Sequence, residues 1–472
     1  MIQFKGVTMV KAFGVVVAAV LLSSGKSGHV LQITALTTHD LPTALSVNER
    51  SPIDVNALLA AAKGPPPLIC SLASQSVRGS NWGDWSDAPS TPLGTVASAR
   101  DYEFRTDELP SSDVKTLLQS LASDDACVRE ISVRVLSRGK NQEIVQGLVS
   151  RLTADSSPLR EVSSFGLGLV HSAASVDPLI RSLNDVTPGV RANSAWALGR
   201  LDAGRALTPL LNLFTDQSES VRQAAVGAVG HIDSTRSAPT LMRVVKQDPS
   251  PAVRRVAAWA LGQLESPESV DVLASVLSQD TDARVREMAA WALGSIESGR
   301  GTTALLAAAQ KDADDHVRET AVWAIGQLED NTLADRLGTI AASDRSSHVR
   351  GTAAWAIGQL RGDGGRAPAG LIALLKDADD DTRLKAAWAL GQIGDAAALP
   401  AIHSAMNQEK DEQVSRALVR AMLKSGEKSE AALTQLLNST DARVRESAVR
   451  GLAGRESFNP WPWPWPRPRP FP

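Results

Sequence analysis

The chain repeats one phrase, Val-Arg-x-x-Ala-Ala-Trp-Ala-Leu-Gly, at a nearly constant spacing. Position 0 is defined here as the first residue of each copy. It is occupied in repeats 1 to 11 by Val128, Leu159, Val190, Val221, Val253, Val285, Val317, Val349, Thr382, Val414 and Val444. Successive copies lie 30 to 33 residues apart. A unit of this size cannot bury its apolar face alone, so the period predicts a stacked array rather than several globular domains.

Each repeat is predicted to be a helix-turn-helix pair. In repeat 4, apolar residues at helical spacing over 206–214 and 221–232 flank a polar turn. Ser and Asp in such turns are favoured N-caps, and Pro178 and Pro209 fall near the start of the first helix, where a missing N–H is tolerated. The sequence therefore predicts an all-α fold, a right-handed α-α superhelix (a solenoid) of about eleven helix pairs over residues 110–455.

Acidic and basic side chains recur on either side of the inter-helix turn. Aspartates stand four or five residues before position 0, at Asp155, Asp185, Asp216, Asp248, Asp280, Asp312, Asp344 and Asp377. Arginines stand at position +1, at Arg129, Arg160, Arg191, Arg222, Arg254, Arg286, Arg318, Arg350, Arg383 and Arg445. This pattern indicates a ladder of Asp–Arg contacts between neighbouring repeats. The alternative, an arginine row that grips phosphates, would need unpaired arginines.

The phrases VRRVAAWALGQL from Val253 and VRGTAAWAIGQL from Val349 resemble HEAT repeats of the short-unit, phycobilisome-lyase type. The resemblance covers about residues 111–455. It implies the solenoid fold, but it leaves function open, because the family includes chromophore lyases, a metal-dependent hydroxylase and adaptors without activity.

Catalytic signals are missing from the sequence. The related hydroxylase holds iron with His-Glu dipeptides, and this sequence contains no such pair. His316 and His348 occupy equivalent positions in neighbouring repeats, too far apart to share one metal ion, and are interpreted as turn-capping residues. We therefore expect no catalytic residues, no metal site and no cofactor.

Six repeats carry a tryptophan at position +6: Trp196, Trp259, Trp291, Trp323, Trp355 and Trp388. This position lies off the main core face of the second helix. Each indole either packs on the flank of the next repeat or belongs to a binding stripe on the concave face. Glutamines four residues later would add hydrogen-bonding groups to that stripe, at Gln263, Gln327, Gln359 and Gln392. We expect a mixed role with partly exposed rings, which suits an extended, Pro-rich peptide.

The two ends differ from the array. Residues 1–25 resemble an export signal, with an uncleaved membrane anchor as the alternative. Residues 26–109 are predicted to be a flexible linker with one short helix within Pro52–Lys63. Cys70 and Cys127 lie in different regions and are interpreted as two lone thiols rather than a disulfide.

The tail, residues 456–472, alternates proline with bulky residues, which predicts an extended polyproline-type segment. Its candidate docking residues are Trp461, Trp463, Trp465, Arg467 and Arg469. We favour docking to a partner over attack on a membrane for this segment.

A net charge of -3 argues against a nucleic-acid partner. The sequence as a whole predicts an exported (periplasmic or secreted), monomeric, non-catalytic scaffold that binds a protein or extended peptide. Two alternatives stay open: an enzyme of the lyase or oxidoreductase branch, and an envelope-associated factor that acts through the tail.

Overall fold

A computed structural model describes residues 55–63 and 109–427 apart from 140, 233–234 and 362–364, with scattered positions between 434 and 449. All of these belong to the compact unit Asp54–Pro472. Helices and turns make up the described part of the chain, which contains no strand. The predicted all-α solenoid is therefore confirmed.

The helices pair as the repeats predict. The first helices of repeats 1 to 10 are Ser111–Ser120, Gln142–Arg151, Val176–Ser182, Leu207–Asn212, Ala238–Gln247, Val270–Gln279, Thr302–Lys311, Ala334–Ser343, Ala369–Ala373 and Leu399–Met406. The second helices are Ala126–Leu136, Ser157–Val170, Pro188–Arg200, Glu219–His231, Pro251–Gln263, Ala283–Ile296, Asp315–Gln327, Ser347–Arg361, Asp380–Ile393 and Glu412–Lys424. Each second helix packs on the first helix of its own repeat and on the second helices of its neighbours.

Side chains three residues before position 0 cap the second helices. Asp282 and Asp314, for example, accept hydrogen bonds from the backbone N–H groups of the residues two and three positions later. Such a cap satisfies donors that the helix leaves unpaired. His316 takes part only through its backbone N–H, so the interpretation of this side chain as the cap was wrong.

The second helices end at a backbone conformation that repeats along the array. Position +12 is left-handed in His171, Asp202, Glu265, Glu297, Glu329, Gly394 and Gly426. Only two of these seven residues are glycines, although this conformation costs other residues energy.

The Asp–Arg ladder is confirmed. Arg254 donates from Nε and Nη2 to the two carboxylate oxygens of Asp280 in the next repeat, at 2.7 and 2.8 Å. Its Nη1 donates at 2.9 Å to the backbone carbonyl of Asp248 in its own repeat. The equivalent rungs are Arg160–Asp185, Arg191–Asp216, Arg222–Asp248, Arg286–Asp312, Arg318–Asp344 and Arg350–Asp377, and Arg383 pairs with Glu409. In repeat 1, Arg129 donates instead to the Ser123 carbonyl oxygen.

The hydrogen bonds of the ladder keep its aspartate side chains in the charged form. Burial raises the pKa of Asp280, but hydrogen bonds from Arg254 and from the Asp282 backbone N–H outweigh it and lower the pKa overall. Bidentate arginine–carboxylate pairs are among the stronger protein hydrogen bonds. The ladder arginines are thus engaged in stacking the repeats and do not form a free phosphate-binding row.

The first repeat is covered by a short helix, Val55–Ala62, which confirms the helix predicted within 52–63. Val55 and Ala62 are buried where this helix packs on the two helices of repeat 1. Cys127, at the start of the second helix, is disulfide-bonded. The prediction that Cys127 is a lone thiol was therefore wrong, and Cys70 lies outside the described residues. The repeat pattern gave no sign of this disulfide, because cysteine is not a periodic feature of the array.

Within the described ranges, every helix is too short or too polar to cross a membrane. The predicted signal (1–25) and tail (456–472), with Trp461, Trp463, Trp465, Arg467 and Arg469, lie outside the described residues.

Candidate functional site

The second helices contact one another through a notch that recurs along the array. A glycine at position +9 of one repeat faces the tryptophan at +6 and the alanine at +7 of the following repeat. A Cβ atom built on Gly262 would lie 2.7 Å from Cζ3 of Trp291 and 2.9 Å from Cα of Ala292. Gly230, Gly294, Gly326 and Gly358 make the same approach. The missing side chain is therefore what allows the helices to pack so closely.

This packing corrects the predicted tryptophan stripe. Trp196, Trp259, Trp355 and Trp388 are only 1, 7, 4 and 5% exposed, so their rings cannot form a contact surface. Trp291 and Trp323 are partly exposed. The indoles also pack on the preceding repeat, whereas the sequence suggested the next one. Position +6 serves mainly to stack the repeats, and only two of its six rings reach the surface.

The +6 row continues towards repeat 1 without tryptophan. Phe165 occupies the position in repeat 2 and stacks on Trp196 with ring centroids 5.1 Å apart. Arg134 occupies it in repeat 1, only 3% exposed, with its guanidinium over the Phe165 ring. Phe165 was not among the predicted site residues, although its position in the repeat identifies it. The row is interrupted in repeat 4, where Gly227 stands at +6.

The predicted glutamines lie beside this row at position +10. Gln263 and Gln359 are exposed, and Gln327 and Gln392 are partly exposed. Positions +2, +6 and +10 are one helical turn apart and share one face of the second helix. We call the accessible side chains at these three positions the second-helix surface.

Position +2 adds charged groups that the sequence analysis did not single out. Arg255, Glu287 and Glu319 occupy it in repeats 5, 6 and 7. Burial raises the pKa of Glu287, with a further contribution from the Asp314 and Glu319 carboxylates, against the opposing effects of His316 and Arg255. Burial likewise raises the pKa of Glu319, against a hydrogen bond from the Thr352 hydroxyl group at 3.1 Å. A shift caused by desolvation was not visible in a sequence pattern, because it depends on the depth of each side chain.

No group of three or more His, Cys, Asp or Glu side chains suited to a metal ion is present among the described residues. An open depression of about 380 Å³ lies beside the Asp–Arg ladder and is lined by Glu219, Arg222 and the segment 249–252. Arg222 is a rung of the ladder, so this depression belongs to the stacking contacts.

Comparison with solved structures finds 404 similar chains. Kap95p in complex with RanGDP shares 14% identity over 84% of this chain and 61% of its own, with a TM-score of 0.52. The Escherichia coli protein YibA shares 22% over 55% of this chain and 99% of its own, with a TM-score of 0.42. The CpcE–CpcF complex of phycocyanin lyase from Nostoc shares 22% identity over 49% of this chain and 92% of its own, with a TM-score of 0.33. Similarity at these identities shows the fold alone.

A search of curated protein sequences finds no match. A sequence profile described as HEAT repeats matches residues 145–218, 207–294, 239–312, 302–370 and 367–453. These ranges together cover well over half of the 472 residues. The chain belongs to the HEAT-repeat family.

Proposed function

We propose that this protein is an exported, non-catalytic scaffold whose second-helix surface binds an extended segment of a partner protein. The observation that carries the proposal is that some positions of each second helix stack the repeats while others face the solvent. Position +9 and most of position +6 are consumed by stacking, whereas Gln263 and Gln359 at +10 are exposed. Glutamine amides both donate and accept hydrogen bonds, so such a row suits the backbone of an extended chain.

Two further observations support the proposal. A solenoid of this fold holds a protein partner in the Kap95p complex with RanGDP. The disulfide at Cys127 is of a kind that persists in oxidising compartments, which agrees with the signal-like sequence of residues 1–25. The partner that we propose is a protein or peptide in the periplasm or outside the cell.

The binding test uses a set of substitutions on the second-helix surface with a matched control. Replacing Gln263, Gln327 and Gln359 by Ala removes the amides of three repeats. Replacing Gln247, Gln279 and Gln310 by Ala removes three exposed amides from first helices. Affinity capture from envelope extracts with full-length protein should lose its partner with the first variant and keep it with the second. Equal capture by both variants would place binding elsewhere.

The location is tested separately. Cell fractionation should find the full chain outside the cytoplasm and a variant lacking residues 1–25 inside it. The cysteines of the full chain should resist alkylation until a reductant is added. Retention of the full chain in the cytoplasm with reactive thiols would reject export while leaving the binding proposal standing.

A further inference from the structure

Repeats 6 and 7 differ from the other tryptophan-bearing repeats at position +2. They carry Glu287 and Glu319 there, one helical turn before Trp291 and Trp323. In repeats 3, 5, 8 and 9, the same position holds Ala192, Arg255, Gly351 and Leu384. Only these two repeats therefore combine a carboxylate with an indole on one face.

The same two repeats have the accessible rings. Trp291 and Trp323 are partly exposed, whereas the other four indoles are at most 7% exposed. Exposure of the ring and presence of the glutamate are independent observations, and they coincide in adjacent repeats. An exposed indole face next to a carboxylate attracts a cation both through the π electrons of the ring and through the charge.

Within the described part of the chain, the charge of these glutamates is not balanced by a direct partner. Glu287 makes no hydrogen bond or ion pair there, and Glu319, 5% exposed, accepts one hydrogen bond from Thr352. The nearby Lys385 is paired with Asp381 at 2.7 Å. Arg255, His316 and His348 act on the two carboxylates only at longer range. Glu287 is half-buried and Glu319 is buried. A desolvated carboxylate without a counter-ion is destabilising, and a cation held on the adjacent indole would reduce that penalty through its charge.

We propose that Glu287 with Trp291, and Glu319 with Trp323, form two adjacent sites that bind Lys or Arg side chains of an extended partner segment. This inference rests on the proposed function and specifies the chemistry of the partner. An indole is not a metal ligand, so the combination points to an ammonium or guanidinium group rather than a metal ion.

The spacing of the sites defines the partner further. Packed helices lie about 8–10 Å apart. A polyproline-type chain rises about 3.1 Å per residue with three residues per turn, so residues three apart share a face and are separated by about 9 Å. The partner segment should therefore carry its basic residues three positions apart. Arg467 and Arg469 of the tail are two positions apart and would point to different faces, so this spacing disfavours the tail as the occupant.

The test measures binding of synthetic proline-rich peptides to the full chain by isothermal titration calorimetry. One peptide carries two lysines three residues apart, a second has glutamine at both positions, and a third repeats the sequence of the tail. The first should bind at least about tenfold more tightly than the other two and quench tryptophan fluorescence.

Variants assign the effect to the sites. The double variant Glu287→Gln and Glu319→Gln should reduce binding of the lysine peptide about tenfold without changing that of the glutamine peptide. The matched control, Glu297→Gln with Glu329→Gln, removes two exposed carboxylates from the same repeats and should leave binding unchanged. Thermal melts check the fold, and the first variant should melt at or above the wild-type temperature because it removes desolvated charge.

Three results would overturn the inference. Equal binding of the lysine and glutamine peptides would reject the cation sites but keep the proposed scaffold. Equal losses in both double variants would mean general charge attraction. Failure of every peptide to bind, while the glutamine-dependent partner is still captured, would reject this partner chemistry alone.

Discussion

The glycine at position +9 sets the distance between neighbouring repeats, and its replacement gives a sharp test of the packing. In a Gly262→Ala variant, the new Cβ would lie 2.7 Å from Cζ3 of Trp291, 2.9 Å from Cα of Ala292 and 3.0 Å from its Cβ. The indole is partly exposed and can shift, but the backbone of Ala292 moves only if the whole second helix of repeat 6 moves. The new methyl group therefore fits only if the second helices of repeats 5 and 6 move apart.

Two opposing effects determine the size of the change. Alanine is favoured over glycine in a helix interior by about 1 kcal/mol. Overpacking of a close-packed contact costs about 1–3 kcal/mol, and a clash with backbone belongs at the upper end of that range. We expect Gly262→Ala to reduce the free energy of unfolding by about 1–2 kcal/mol.

Gly391 provides the matched control, because it occupies the same position of its helix without the same contact. A Cβ there would lie 3.5 Å from Cα and 3.8 Å from Cβ of Ala421, which is ordinary van der Waals distance. Arg420 takes the place of the tryptophan in the following repeat. Gly391→Ala should therefore stabilise the protein by about 1 kcal/mol through helix propensity alone.

The assay is urea unfolding followed by circular dichroism, combined with hydrogen exchange of the helices on either side of each glycine. Hydrogen exchange is needed because a long repeat array does not have to unfold in one step. A lower free energy of unfolding for Gly262→Ala together with a higher one for Gly391→Ala would support the close packing at the glycine notch. Stabilisation by Gly262→Ala as large as that by Gly391→Ala would refute it.

Three other predictions follow from the ladder, the helix ends and the disulfide. Asp312→Asn should lower the stability by about 2–3 kcal/mol at neutral pH, because it leaves the Arg286 guanidinium poorly paired. Burial raises the pKa of Asp312, but the hydrogen bonds from Arg286 and from the Asp314 backbone N–H outweigh it and lower the pKa overall. The stability that the carboxylate contributes is therefore fully present above its ordinary pKa of 3.8. It is lost as the pH falls through the lower pKa of the folded state. Unfolding curves from neutral to acidic pH should therefore converge for wild type and variant. Glu297→Gly and Glu329→Gly, at φ angles of 53° and 51°, should each stabilise the protein by about 1 kcal/mol in thermal melts, whereas Glu268→Gly, in an ordinary conformation, should not. Cys127→Ser should cost about 2–4 kcal/mol, measured by urea unfolding, and a reductant should have the same effect on the wild type but none on the variant.

The repeat period made most of the fold predictable. Apolar spacing fixed the helix pairs because every repeat solves the same packing problem with the same residues. The ladder was predictable for the same reason: an Asp before the turn and an Arg after it, such as Asp280 and Arg254, recur together only if neighbouring repeats bring them into contact.

The depth of individual side chains was not predictable from the pattern. Helical periodicity places Trp259 at an angle around its helix, but it does not say how closely the preceding helix approaches. That distance depends on the pairing of Gly230 with Ala260, which involves two repeats at once. The pKa shifts of Glu287 and Glu319 were hidden for the same reason, since desolvation is a property of the assembled surface.

Stacking and recognition compete for the same face of the second helix, and this competition limits where a ligand can bind. A ring that is fully buried in a glycine notch stabilises the array but cannot also present its face to a partner. Trp355 and Trp388 are sealed in their notches, whereas Trp291 and Trp323 contact Gly262 and Gly294 through Cζ3 and still remain partly exposed. Glu287 and Glu319 lie one helical turn before these two rings. Because desolvation of a carboxylate without a counter-ion reduces stability, we expect Glu287 and Glu319 to weaken the solenoid where they stand. Desolvated carboxylates beside accessible rings are candidates for a binding site, and here they lie in two adjacent repeats near the middle of the array.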